Sequence, residues 1–239
     1  MRNLNEVTEL CNEARDIFIK ESTSGFKKTK HLPEWLNSKA KSLRTERRHA
    51  RAKYKRRFKV FPRGALIFVN FGVNLGAELS NFHWAVVLNR KDSMYSQKLT
   101  VIPISSKGNR FSVEIDGLIA HKSEEYLTKL LLDKQLEFNE FRQGQFEQHH
   151  GNFENLDDFN NYMQTTVKYF EESNEIIEVA EAYQRFNKTS YAMCMDITTI
   201  SKEKIMSINK YDPSGKIKVS NHTLDEIEKQ ISQNLFKNN

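Results

Sequence analysis

Apolar positions recur at three- and four-residue spacing from the start of the chain: Leu4, Val7, Leu10, Cys11, Ala14, Ile17 and Phe18. That spacing places side chains on one face of an α-helix. A break falls between Ser22 and Pro33, and helical character then resumes to about residue 60. At Pro62 the period changes. ALIFVNF, WAVVLN, LTVIPIS and FSVEID are short β-type runs separated by turn-rich stretches such as GVNLGAELSN, and four of them in succession indicate a compact antiparallel sheet or barrel. From Ser123 the spacing is helical again, through Tyr126, Leu127, Leu130 and Leu131. A further helix is expected after Asn155, whose short polar side chain suits an N-cap. YAMCMDITTI restores a strand, SKEKIMSINKYDPSGKIK reads as a short strand and a turn, and HTLDEIEKQISQNLF reads as a closing amphipathic helix.

The order of elements predicts an α+β fold in which one small β-domain is split by helices. Such an insertion is topologically cheap when it leaves and re-enters at neighbouring surface points. Residues 1–61 form a helical, basic N-terminal extension and 62–119 the first part of the β-domain. Residues 120–188 form a helical, acidic insertion, and 189–239 the second part with its C-terminal helix.

Composition narrows the class. Hydrophobic residues make up 38% and charged residues 28%, against about 45–50% apolar in ordinary globular domains, so some helices are expected to stay solvated. No stretch approaches the ~20 apolar residues of a membrane span, and the opening residues lack a signal-peptide core, so a cytoplasmic location is expected. The two cysteines, Cys11 and Cys194, form no metal or disulfide pattern, and Cys194 is expected to be buried. No cofactor or metal is expected.

The formal charge of +6 is uneven. Residues 39–59 hold eleven Lys/Arg against one acid, a local net of +10, which leaves −4 for the rest. A block of that density is an electrostatic footprint for polyphosphate. Arg44, Arg47, Arg48, Arg51 and Lys55 recur at helical spacing, and Tyr54, Phe58 and Phe61 follow as candidate stacking surfaces for bases. The block reads either as an RNA-capture surface or as a solvated basic arm. The insertion's second helix carries Glu171, Glu172, Glu175, Glu178 and Glu181, an ordinary solvated face whose sign also suits the basic block.

Five segments in order resemble the PemK/MazF family of toxin ribonucleases: Arg63-Gly64 opening ALIFVNFG, LGAEL with Gly76 and Glu78, NFHWAVVLN, VIPISS with Ser105 and Ser106, and, after the insertion, SYAMCMDITTISKEKI. The terminal LDEIEKQISQNL resembles the family's closing helix. Less than half of the chain is covered, and the N-terminal extension and insertion have no counterpart in small family members. The resemblance implies an SH3-like barrel that dimerises, a cognate antitoxin as partner, and metal-independent cleavage of single-stranded RNA, mRNA included. In that chemistry the 2′-hydroxyl attacks the adjacent phosphate, the bond to the 5′-oxygen breaks, and a cyclic phosphate and a free 5′-hydroxyl are left.

That chemistry needs a base, an acid and a donor facing the phosphate. At the family's Arg position this sequence has His83, at the Pro position Trp84, and at the hydroxyl position Ser105; Thr198 stands where the family has a second Arg. An imidazole is suited to proton transfer near neutrality, where a guanidinium is chiefly a clamp. His83, Ser105 and Glu78 are the candidate catalytic residues, with Glu78 alternatively tying down its loop. Arg63, Asn81, Trp84, Arg90, Ser106, Lys107, Thr198 and the basic residues Arg47, Arg48, Arg51 and Lys55 are candidate RNA contacts. The alternative is a non-catalytic module of the same fold that binds RNA or protein, including an inhibitor of DNA gyrase. The insertion reads either as a cover for the RNA surface or as a site for dimerisation or antitoxin docking.

Overall fold

The computed structural model describes residues 3–51, 53–54, 56–149, 153 and 155–236. The fold is α+β; among the described residues there are five α-helices and seven antiparallel strands, and the sheet does not close into a barrel. The chain forms two compact units: residues 1–63, 67–103 and 196–206 in the first, and 64–66, 104–195 and 207–239 in the second.

The first unit opens with α1 (Leu4–Thr23), capped by the Asn3 side chain, which accepts from the Asn5 amide. The amphipathic spacing is present, yet no residue of α1 is buried: Leu4, Leu10 and Ile17 are exposed. The helix α2 (Leu32–Ala50) has Pro33 in its first turn, where a missing N–H costs nothing. It ends at Ala50, twelve residues before Pro62, where the sequence reading places the change of period. The expected arginine stripe therefore stops at the C-cap, Arg51, and Lys55 lies outside the described residues.

Beyond this helix come β1 (Leu66–Asn70), β2 (Phe82–Val87) and β3 (Lys98–Ser105). The later segment supplies β6 (Thr198–Ser201) and β7 (Ile205–Met206). β3 pairs β2 through Ala85↔Pro103 and β6 through Thr100↔Thr199, while β7 pairs β1 through Phe68↔Met206. The two stretches separated by the helices are thus hydrogen-bonded to one another. Ile67, Val69, Ala85, Val86, Val87, Leu99, Val101 and Ile102 are fully buried. Four consecutive buried residues in β2 mean that both faces of that strand are covered.

A buried ion pair fastens the segment before β1 to this sheet. Lys202 Nζ lies 2.7 Å from Asp92 Oδ2 and also donates to the carbonyls of Lys59 (2.8 Å) and Ser93 (3.1 Å). Asp92 Oδ2 in turn accepts from the Phe61 amide at 2.9 Å.

In the second unit β4 (Ser112–Glu114) pairs β5 (Tyr191–Met193), which pairs the end of β3 at Ile104↔Ala192. YAMCMDITTI is two strands rather than one: a turn at 194–197 divides β5 from β6. Cys194 in that turn is buried, and desolvation pushes its thiol up to about 11. The helices α3 (Ile119–His149) and α4 (Leu156–Tyr183) pack on each other through aromatic stacks, Phe138 on Tyr169 at 4.2 Å and Phe141 on Tyr162 at 5.8 Å. The side-chain oxygen of Asn155 accepts from the Asp158 amide at 2.9 Å, the cap that its position predicts. Ser173, Ile176, Val179 and Tyr183 form the buried face of α4, and Tyr183 donates its hydroxyl proton to Asp212 at 2.6 Å.

The closing helix α5 (Asn221–Ile231) buries Thr223, Leu224 and Ile227. Asp116 holds its start, accepting from Ser220 N (3.0 Å) and Thr223 Oγ1 (2.7 Å). Among the described residues no helix is long and apolar enough to cross a membrane.

Candidate nucleic-acid interface

The loop between β1 and β2 carries His83 at its exit and is organised by backbone and amide groups. Phe71 N donates to Asn81 O at 2.9 Å and Asn81 N to Gly72 O at 2.6 Å, which closes the loop like a hairpin end. Asn81 has φ 71°, a left-handed conformation that Asn tolerates better than most side chains. Its backbone closes the turn, and its side chain, the expected RNA contact, is half-buried. Inside the loop Asn74 Nδ2 donates to Leu79 O at 2.7 Å, and Asn74 N donates to Ser80 Oγ at 3.0 Å. Glu78 is exposed and its carboxylate takes no hydrogen bond or ion pair among the described residues. Asn74, not Glu78, ties the loop down.

The N-terminal extension reaches this loop twice. Lys28 Nζ donates to Gly76 O at 2.7 Å, and the Trp35 indole lies so close to Gly72 that a Cβ there would sit 2.1 Å from its Nε1. Gly72 also has φ 88°, so both backbone and neighbour demand glycine.

His83 is half-buried on β2, with Nε2 3.0 Å from Ser80 O and its ring edge-on to Phe71. A carbonyl oxygen only accepts, so Nε2 carries the proton, and in the neutral ring the lone pair is on Nδ1. Trp84 points into the core at 4% exposure, tilted on Phe68 at 5.4 Å. Alternation along β2 sends it to the face opposite His83, which corrects its expected role as a base contact. Arg63 is also redirected: its Nη1 donates to Leu88 O just beyond β2, which ties the strand end down. Arg90 is exposed, and Thr198 is half-buried opposite Val101.

Ser105, Ser106 and Lys107 belong to the second unit. Ser105 Oγ accepts from Lys107 N at 3.1 Å, a local turn bond that leaves the hydroxyl proton available for donation. Ser106 and Lys107 are exposed. The candidate catalytic residues are therefore divided, His83 and Glu78 in the first unit and Ser105 in the second.

The helix α2 has two polar faces. Arg44, Arg47 and Arg48, with Arg51 at the cap, are exposed on its outer side. Its other side roofs a cavity of about 550 Å³ over Asn70 of β1 and Met206 of β7. Neither the protein-family models nor the curated proteins compared with this chain match it.

The sequence reading missed the cavity. Its signal was present in the helical repeat of Trp35, Ser38, Lys39, Ser42, Glu46 and His49, but nothing in the chain order announces that β7 closes its floor. Asn74 and Ser80 were also missed, because polar residues in a turn-rich stretch look alike until their partners are known.

Proposed function

We propose that this chain is a PemK/MazF-like, metal-independent endoribonuclease that cuts single-stranded RNA by 2′-hydroxyl attack. The observation that carries this reading is the half-exposed imidazole of His83, held through Nε2 by the Ser80 carbonyl at the position of the family's catalytic arginine. Such a ring is oriented for proton transfer, worth about 10²–10⁴-fold in rate. The pairing of β6 with β3 and of β7 with β1 supports the reading, because it rejoins the two stretches that carry the resemblance. In this reading the strands are a relative of the family's SH3-like barrel. Ser105 is a donor to phosphate, and the exposed arginines of α2 supply strand capture. A homodimer, a cognate antitoxin and a cytoplasmic location accompany it.

A second reading, a binder without chemistry, is favoured by the burial of Trp84 and the engagement of Arg63 by Leu88 O. Incubating the purified chain with long RNA in chelator, beside His83→Ala and Ser105→Ala, separates the two. The nuclease gives discrete cuts with cyclic-phosphate ends that fall at least about 100-fold in His83→Ala. RNA that is bound and left intact, or cut equally by His83→Ala, overturns the assignment. Altered DNA supercoiling with intact RNA points instead to the gyrase-directed alternative.

A further inference from the structure

The cavity under α2 lies wholly within the first unit, and none of its lining residues belongs to the loop before His83, although Trp35 also packs on Gly72 of that loop. Four cations, Lys39, Lys53, Arg56 and Lys204, face it together with two carboxylates, Glu46 and Glu203. Arg56 is already committed, since it pairs with Glu203 and lies 3.1 Å from His49 Nδ1. Lys39 and Lys204 have no hydrogen bond or ion pair among the described residues. Both side chains are exposed where they line the cavity, and desolvation, with the charge of Lys39 adding to it, lowers the Lys204 pKa. Two like charges converging on one space are relieved by an anion between them.

The rest of the lining fits something larger than an ion. About 550 Å³ is the size of a small-ligand site. Tyr54 and Phe58 line the same space, with the Arg56 guanidinium over the Phe58 ring at 4.7 Å, and Gln97 and Asn70 add side-chain amides, the Asn70 oxygen also accepting from the Gly72 amide at 3.0 Å. Stacking rings beside cations is the combination that holds single-stranded nucleotides.

We propose that this cavity is a binding subsite for one phosphorylated nucleotide, with the phosphate between Lys39 and Lys204 and the base against Tyr54 and Phe58. The proposal rests on the RNA-directed reading and deepens it: the N-terminal extension adds a nucleotide subsite to the strand-bearing unit. The same chemistry serves a nucleotide within an RNA strand and a free nucleoside monophosphate.

The test is titration of the full chain with adenosine and uridine monophosphates, inorganic phosphate, and a non-cleavable tetranucleotide carrying 2′-O-methyl groups. Lys39→Gln, Lys204→Gln and Tyr54→Ala are compared with wild type after their thermal melts confirm folding. Saturable binding of a nucleotide or the tetranucleotide, tighter than phosphate and weakened about 10-fold by either lysine change, is the expected result. Preference for the tetranucleotide assigns a strand, and preference for the monophosphate a free nucleotide. No binding, binding unaffected by both lysine changes, or binding no tighter than that of phosphate overturns the proposal. Because binding is read without cleavage, intact long RNA refutes the nuclease and leaves this outcome to be decided on its own.

Discussion

Replacing Asp92 by alanine strips the counterion from a lysine whose side chain is only 2% exposed. An ammonium has three protons, and in the native unit all three are used: by Asp92, by Lys59 O and by Ser93 O. After the change two neutral carbonyls remain, and the Phe61 amide also loses its acceptor. Removing one partner of a buried pair costs about 3–5 kcal/mol, because the remaining charge is left uncompensated. Set against a total of about 5–15 kcal/mol, that removes between about a fifth and all of the stability. Urea unfolding of Asp92→Ala, Lys202→Met and the double variant measures it. The double variant is expected to lie below the sum of the singles by more than about 1 kcal/mol, since neither charge is then left alone. A loss under about 1 kcal/mol in Asp92→Ala, or strict additivity, refutes the reasoning. The same bonds anchor residues 59–61, in the tether between α2 and β1, so on the proposed function a folded Asp92 variant should also bind RNA more weakly than its midpoint alone implies.

Other consequences are open to direct measurement. On the proposed RNA-directed function, neutralising Arg47, Arg48 and Arg51 together should weaken RNA binding and flatten the dependence of log affinity on log salt by about 0.7 for each phosphate no longer neutralised, checked by titrations across salt concentration. Gly72→Ala meets both the Trp35 indole and a positive φ, and should cost at least about 1–3 kcal/mol and shift tryptophan emission. The hydrogen bond from Lys134, with Lys210 adding, holds the Glu172 carboxyl down to about 2 from 4.5. A depressed folded-state pKa stabilises fully above 4.5 and is lost as pH falls toward 2, so melting temperatures of Glu172→Gln should fall less steeply than wild type over that window. Asp116→Asn should show a similar loss of acid sensitivity. Burial raises the Asp116 pKa, but bonds from Thr223, Ser220 and Lys122 outweigh that and lower it overall.

The strands and helices were legible where the chain obeys one period. ALIFVNF, WAVVLN and LTVIPIS became β1, β2 and β3 because their β-branched residues pack on a pleated surface, and Asn155 capped α4 as a short polar side chain can. Legibility failed where a residue's use depends on a partner far along the chain. Trp84 and Arg63 look like ligand contacts in sequence, yet one fills the core beside Phe68 and the other binds the Leu88 carbonyl. Closure of the sheet was not legible at all, since β-type runs are alike in an open sheet and a barrel.

The basic block shows the same limit most sharply, because charge counts carry no direction. Arg44, Arg47, Arg48, Arg51 and Lys55 read as one stripe and Lys39 only as part of the block; on α2 Arg44, Arg47 and Arg48 face outward, while Lys39 lines the cavity with Ser42 and His49. Outward cations held by flexible side chains contribute salt-dependent attraction with little selectivity. Cations beside ring faces and amides in a confined space discriminate between ligands. Loss of overall affinity on changing the outer arginines, with nucleotide selectivity kept, is therefore the result this division of labour requires. Equal loss of both on either face would mean that the helix acts as an undivided patch of charge.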